Sequence, residues 1–206
     1  MVTKTDSFKM TKFLTAKHWQ LFGLFFGVPI VMEGIAVTSI FSSHDPTAMV
    51  YLFSAMMILF TGLFFGWFYA LGTNLYKKLP ASVSMNVTKF KVFLLVPAVY
   101  IFFLSIFMFG TFSNSSPGER MDFGAVAALI VPLHLFSMFC IFYCLYFNAK
   151  ALKAVEWQRP VTFSDFAGEF FLIWFFPIGV WIIQPRINKL FDITAEDQQA
   201  LDNFLQ

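Results

Sequence analysis

Four long apolar stretches alternate with short polar segments along this chain. They cover Trp19–Ser42, Thr47–Thr73, Val92–Phe112 and Phe123–Phe147, and each contains almost no charged residue. An α-helix needs about 20 apolar residues to cross a hydrocarbon core about 30 Å thick. The pattern therefore predicts an all-α, polytopic transmembrane helix bundle in which each of these stretches crosses the membrane.

A fifth apolar segment, residues 164–183, has two interpretations. Its uncharged run Phe170–Ile183 contains Pro177 and has a length that suits either a short span or a re-entrant segment. Charge counting favours re-entry, because Lys and Arg would then number 13 on the cytoplasmic side and one outside, against 11 and three for five crossings. A faint internal repeat, in which Tyr69–Pro97 resembles Tyr146–Pro177, favours a crossing instead. We favour about five membrane helices, with re-entry as the alternative.

Polar residues at the two ends of the sequence divide it into three parts. Residues 1–18 hold four lysines interleaved with apolar side chains and are predicted to form a basic amphipathic leader on the cytoplasmic side. Residues 19–191 form the transmembrane helix bundle. Residues 192–206 are predicted to form an acidic amphipathic helix that begins near Thr194, because Asp197 follows it at the spacing of a capping box.

Composition restricts the class of protein further. The 206 residues are 58% hydrophobic and 13% charged, and the mean hydropathy is +0.71. A soluble domain of this size cannot bury so much apolar surface, and a net charge of +2 is too small to indicate nucleic-acid binding. The expected partners are membrane lipids and other membrane protein subunits. Because the sequence contains no nucleophile–base pair, phosphate-binding glycine loop or metalloprotease helix, we do not expect an enzyme.

Two ionisable residues inside the predicted spans are the candidates for chemistry. Glu33 lies near the middle of the first span, where an ionised carboxylate is costly and normally faces a cavity, a partner or a proton path. His134 follows Pro132 in the fourth span, and a proline leaves a backbone carbonyl without its helical partner. The sequence therefore offers a Glu33/His134 polar site as a hypothesis. The alternative is that each residue only packs, with its polar atoms satisfied by neighbouring helices.

Haem and metal binding are not expected. The three histidines, His18, His44 and His134, lie at different predicted depths and cannot act together as axial ligands. Cys140 and Cys144 are four residues apart on one helix, without further ligands at tetrahedral spacing, so we interpret them as small packing residues. No metal or cofactor is predicted.

Small residues and prolines recur within the apolar stretches. Small residues four apart allow helix backbones to approach closely, and we favour packing within this chain over packing with a partner. The small residues are Gly23, Gly27, Gly62, Gly66, Ala70, Gly124 and Ala128. Prolines are predicted to kink four of the membrane segments. They are Pro29, Pro97, Pro132 and Pro177.

Two stretches of sequence resemble a known family. The run Phe163–Asn188 (FSDFAGEFFLIWFFPIGVWIIQPRIN) and the earlier Leu14–Leu21 (LTAKHWQL) are similar to stretches of a family of small, uncharacterised bacterial multi-pass membrane proteins. The resemblance implies location in the bacterial inner (cytoplasmic) membrane, and it implies no activity.

These observations lead to one expectation and two alternatives about function. The short loops and small-residue helix faces favour a non-enzymatic accessory or scaffold subunit of a larger inner-membrane complex. The first alternative is a small transporter or channel that uses Glu33 and His134. The second is a lipid-interacting protein. The basic leader and the aromatic fifth segment favour this alternative.

Overall fold

Every regular element in the described part of the chain is a helix. The structure is a computed structural model that describes residues 13–43, 47–114 and 123–204. The helices are α1 (His18–Phe22), α2 (Val28–Ser43), α3 (Thr47–Lys77), α4 (Val87–Asn114), α5 (Phe123–Trp157), α6 (Phe163–Trp174) and α7 (Phe176–Phe204). The predicted all-α class is confirmed.

Four helical stretches within the described residues are long and apolar enough to cross a membrane. They are His18–Thr38, Tyr51–Lys77, Val87–Thr111 and Val126–Trp157. Between 17 and 28% of each apolar window is buried inside the protein, so most of the apolar side chains face outward. Lipid accommodates such surfaces whereas water does not, and the chain is accordingly an integral membrane protein.

A π-helical turn, Gly23–Gly27, joins α1 to α2. Pro29 follows two residues later, in the first turn of α2. A proline inside a helix lacks an N–H and its ring clashes with the carbonyl four residues earlier, here that of Phe25. A locally widened turn relieves that clash, so the irregularity predicted at Pro29 takes the form of a π-helical turn.

The fifth apolar segment is two helices rather than one. The chain leaves helical geometry at Phe175, which has φ −85° and ψ 56° and separates α6 from α7. Pro177 stands in the first turn of α7, where its missing N–H costs no helical hydrogen bond. Neither α6 nor α7 is among the four helices that are long and apolar enough to span. Pro177 thus lies at the start of a helix instead of within one. Both predicted alternatives for residues 164–183, a crossing and a re-entrant segment, stay predictions.

Gly179 shows that the chain turns back on itself at this break. A Cβ atom at this position would lie 1.6 Å from the carbonyl oxygen of Leu172. In a straight helix, residues seven apart are separated by about 10 Å along the axis. The contact therefore requires a sharp bend between α6 and α7, and only glycine allows backbones to come so close.

The other prolines lie within continuous helices. Helix α4 runs through Pro97 and α5 runs through Pro132, so the predicted kinks at these two positions stay predictions. Pro185 lies within α7 and was not among the predicted kink sites. The predicted separate helix from Thr194 is instead a continuation of α7, which extends to Phe204.

The contacts divide the chain into two compact units. Unit 1 comprises Met1–Gly23, Trp67–Val87 and Leu145–Gln206, and unit 2 comprises Leu24–Gly66 and Thr88–Cys144. Most of the predicted leader, residues 1–12, lies outside the described residues, as do the side chains of residues 192–206.

Each unit has its own buried side chains. In unit 1 the largest are those of Trp67, Phe68, Phe147 and Phe166, and in unit 2 those of Phe25 and Phe90. Cys140 and Cys144 of unit 2 are buried free thiols, as expected for packing residues.

Candidate functional site

Unit 1 contains a cluster of four charged side chains, here called the ion cluster, which consists of Lys153, Glu156, Glu169 and Arg186. Glu169 Oε1 accepts from Lys153 Nζ at 2.9 Å and from Arg186 Nη2 at 2.6 Å. The same guanidinium contacts Glu156 through both carboxylate oxygens, with Arg186 Nε 2.8 Å from Glu156 Oε1. Two positive and two negative groups thus join the C-terminal end of α5 to α6 and α7.

Burial and hydrogen bonding act in opposite directions on Glu169, of which only 5% is exposed. Burial raises the pKa of this carboxyl, but the hydrogen bonds from Lys153 and Arg186 lower it more, so its pKa lies below the usual value. The pKa of Arg186 is raised, chiefly by its hydrogen bonds to Glu156. The pKa shifts of Glu169 and Arg186 therefore both favour the charged forms of these two side chains.

Local helix geometry explains how these residues meet. Lys153 and Glu156 are three residues apart on α5 and so share a face. Glu169 lies on the buried face of α6 together with Phe166 and Ile173. Asp165 Oδ2 accepts from the Thr162 N–H at 2.8 Å at the start of α6, and that bond is the main reason why the pKa of Asp165 is lowered.

Gln184 forms a second polar junction in unit 1. Its side chain is fully buried, and its Nε2 lies 3.0 Å from the carbonyl oxygens of both Phe13 and Ala16. Its Oε1 accepts from the indole Nε1 of Trp67 at 3.3 Å. One amide therefore links α7 to the segment before α1 and to α3.

Neighbouring contacts extend this junction. Asn188 Nδ2 donates to the carbonyl of Ala16 at 3.2 Å and its Oδ1 accepts from Gln184. The ring of Trp181 lies 4.7 Å from that of His18 and 5.5 Å from that of Phe22. The two stretches that carry the family resemblance, Leu14–Leu21 and Phe163–Asn188, are thus in direct contact.

Asn148 is a third buried polar residue of unit 1. It is fully buried, and both polar atoms of its side chain lack a hydrogen-bond partner among the described residues. Leaving such a group unpaired typically costs about 1–3 kcal/mol. The buried amide of Asn148 therefore lowers the stability of unit 1, because no described neighbour supplies a hydrogen bond to it.

The predicted Glu33/His134 site lies in unit 2, and no contact joins its two members. His134 Nδ1 is 3.4 Å from the hydroxyl of Tyr100, which connects α5 to α4. Glu33 is exposed on α2, and no described residue forms a hydrogen bond or ion pair with it. A joint role for the two residues stays a prediction.

An apolar groove between α2 and α3 surrounds Glu33. The groove is formed by Met32, Glu33, Ala36, Val37, Leu52, Phe53 and Met56. The carboxylate of Glu33 is the only charged group among these lining residues. An exposed carboxylate in an otherwise apolar groove is suited to a polar group supplied by another molecule.

Several of the predicted packing glycines have open space beside them. A Cβ at Gly23, Gly27 or Gly62 would meet no described atom within 4 Å, so these glycines do not mark close helix contacts inside the described chain. Ala70 is buried, whereas Gly124 and Ala128 are exposed and Gly66 is partly exposed. Packing within the chain at the predicted small residues stays a prediction.

No sequence pattern predicted that the residues of the ion cluster, or Gln184 and its partners, would come together. The missed signal was charge inside an apolar segment: Glu169 stands between Gly168 and Phe170, and Arg186 follows the same apolar run. Opposite charges on the two sides of Pro177 can form an ion pair when the segment bends back on itself.

Among the described residues, no group of three or more His, Cys, Asp or Glu side chains is arranged to hold a metal ion. No family model, curated protein or solved structure matches the chain.

Proposed function

We propose that this protein is a non-enzymatic accessory or scaffold subunit of a larger complex in the bacterial inner membrane, with its N-terminus in the cytoplasm. The family resemblance of Leu14–Leu21 and Phe163–Asn188 supports the bacterial inner membrane. The predominance of Lys and Arg on one side of the predicted spans supports the orientation.

The observation that carries the proposal is the position of Glu33. Its carboxylate is exposed on a membrane-spanning helix, beside an apolar groove, and no described residue pairs with it. A carboxylate at this place is costly in lipid and is stabilised by a polar group from outside the chain. The occupant we propose is a transmembrane helix of a partner subunit that donates a hydrogen bond to Glu33.

The open glycine faces support a partner helix as well. Gly23, Gly27 and Gly62 have no neighbouring atom where a side chain would begin. Small residues at helix surfaces allow another helix to approach closely, and unoccupied space at these positions fits a helix from another chain.

The polar groups of unit 1 support a structural role. Glu169 and Gln184 are buried and their polar atoms pair with other groups of the same unit. Such pairing holds helices together and leaves no titratable group of the ion cluster free for catalysis.

Purification in a mild detergent, with identification of the co-purifying chains, tests this proposal. We expect the tagged wild type and Glu33→Gln, whose amide oxygen still accepts a hydrogen bond, to retain the same partner, and Glu33→Leu to lose it. Thr38→Val is the matched control, because the hydroxyl of Thr38 bonds only to carbonyls of its own helix, and it should retain the partner. Recovery of the wild type alone would contradict the proposal.

One contact favours the alternative of a small transporter or channel. The hydroxyl of Tyr100 and the imidazole of His134 connect two spans close to Pro132, and a polar pair at such a position is a feature of ion pathways. Proton flux in vesicles containing only this protein, abolished by both Glu33→Gln and His134→Ala, would favour that alternative.

A further inference from the structure

The direction of α7 relative to α3 follows from two contacts in unit 1. The ring of Phe176 lies 5.1 Å from that of Trp67. Towards the other end of the contact, Lys78 Nζ donates to the carbonyl of Leu190 and lies 4.6 Å from the centroid of Phe191. The start of α7 is therefore level with the inner part of the span in α3, and residues 190–191 are level with the end of that span.

The contacts of α7 with the start of the first span indicate the same direction for α7. Asn188 and Gln184 bind the carbonyl of Ala16, which precedes the span. Trp181 contacts His18 and Phe22, which lie within it. Moving backward along α7 from Asn188 to Trp181 thus moves deeper along α1.

These registers set the depth of the hairpin tip. Trp67 lies ten positions before Lys77, where the second candidate span ends, which corresponds to about 15 Å of helix. The hydrocarbon core is about 30 Å thick. The bend at Phe175, next to the residue that touches Trp67, lies about half-way into the membrane.

The bend meets the requirements of a non-aqueous environment. The N–H of Phe175 donates to the carbonyl of Phe171 at 2.8 Å, and the carbonyl of Phe175 accepts from both Ile178 and Gly179. Pro177 has no N–H to satisfy. Irregular backbone at membrane depth is tolerated when its polar groups are paired in this way.

The outward surface of the hairpin tip is apolar and aromatic. Ile178 is 67% exposed and Phe175 58% exposed. The other large exposed side chains here are Phe171, Trp174, Trp181 and Ile182. Two charged residues of the hairpin, Glu169 and Arg186, lie towards its base in the ion cluster, and its other charged residues, Asp165 and Lys189, are further from the bend in sequence. The apolar tip therefore suits the centre of the bilayer, and the charged base suits the headgroup region of one leaflet.

We propose that α6 and the first half of α7 form a re-entrant hairpin that enters the membrane from the side of the N-terminus and returns to that side. Its exposed tip contacts the acyl chains of one lipid leaflet. The described part of the chain therefore crosses the membrane four times, and residues 188–204 lie on the same side as Phe13.

Cysteine labelling in membrane vesicles tests the hairpin. In a background carrying Cys140→Ala and Cys144→Ala, single cysteines are introduced as Lys77→Cys, Ile178→Cys and Lys189→Cys. All three side chains are exposed. Each variant is treated with a membrane-impermeant maleimide in right-side-out and in inverted vesicles. Lys77→Cys is the reference, because it marks the end of the second span on the N-terminal side.

The expected result has two parts. Lys189→Cys reacts in the same vesicle orientation as Lys77→Cys. In the orientation in which these two react, Ile178→Cys reacts about tenfold more slowly, because a thiol in an apolar environment forms little thiolate. It stays slow in the other orientation, and detergent restores its reaction. Labelling of Lys189→Cys only in the opposite orientation would overturn the proposal in favour of a fifth crossing. Rapid labelling of Ile178→Cys from the aqueous phase would overturn insertion of the tip.

The hairpin does not depend on the proposed subunit function. Loss of the partner on Glu33→Leu and the labelling pattern at Lys189 are separate measurements, and either can fail while the other holds.

Discussion

The carboxylate of Glu169 accepts hydrogen bonds from Lys153 on one side and Arg186 on the other, at 2.9 and 2.6 Å. The three residues come from α5, α6 and α7, so a single buried oxygen fixes the base of the α6–α7 hairpin to the end of the fourth span.

Removing the shared acceptor leaves positive charge partly buried without its counter-charge. We expect Glu169→Ala to lower the free energy of unfolding by roughly 2–4 kcal/mol. Thermal unfolding in detergent, followed by circular dichroism, measures the change. Ser164→Ala is the control, because Ser164 is exposed on the same helix and should change stability little. Equal stability of the two variants would contradict a structural role for the ion cluster.

The lowered pKa of Glu169 makes its contribution depend on pH. A carboxyl whose pKa falls on folding stabilises the folded state above its unfolded value, here the usual 4.5, and that stability is lost as pH falls through the folded pKa. We expect the wild type to unfold at a higher temperature than Glu169→Gln at pH 7, and the difference to shrink below about pH 4. The lowered pKa of Asp165 acts in both proteins and cancels in the comparison. A difference that stays constant through this range would show that charge is not the cause.

A substitution at Gly179 tests the bend between α6 and α7. A methyl group at this position would clash with the backbone of Leu172, so we expect Gly179→Ala to destabilise the protein by roughly 3 kcal/mol or to open the hairpin. Gly168→Ala is the matched control on α6, because a Cβ there meets nothing within 4 Å. The control should be neutral or stabilising by up to about 1 kcal/mol. Normal stability of Gly179→Ala would exclude the close approach of the two helices.

Gln184 holds the segment before the first span. We expect Gln184→Leu to remove the Gln184 hydrogen bonds to the indole N–H of Trp67 and the carbonyl of Phe13, at a cost of about 1–3 kcal/mol. The carbonyl of Ala16 keeps its hydrogen bond from Asn188. Hydrogen exchange of the peptide covering residues 13–22 should become faster in this variant. Gln158→Ala serves as the control, because its amide contacts only the end of its own helix. Unchanged exchange in Gln184→Leu would show that the segment is held by other contacts.

Asn148 gives a prediction of opposite sign. Its amide is fully buried and unpaired within the described residues, and leucine has a similarly branched side chain without a desolvation cost. We expect Asn148→Leu to raise the free energy of unfolding by about 1 kcal/mol or more. Chemical unfolding of the purified protein in mixed micelles measures this. Destabilisation would indicate that the amide pairs with a water or with a group of another molecule.

The sequence by itself determined the membrane environment and the helical fold class. The stretches Trp19–Ser42, Thr47–Thr73, Val92–Phe112 and Phe123–Phe147 each contain enough apolar residues to cross, and a helix satisfies its own backbone groups within one segment. Both facts depend only on local sequence. The burial of Cys140 and Cys144 also followed from residue type and context.

The tertiary structure decided how the remaining residues are used. Length and charge left Phe170–Ile183 open between a crossing and a return, because those quantities do not say which residues come together across a bend. The hairpin depends on the approach of Gly179 to Leu172 and on the pairing of Glu169 with Arg186. Partners such as Gln184 and Ala16 are far apart in the chain, and their pairing is set by helix packing, which no local pattern encodes.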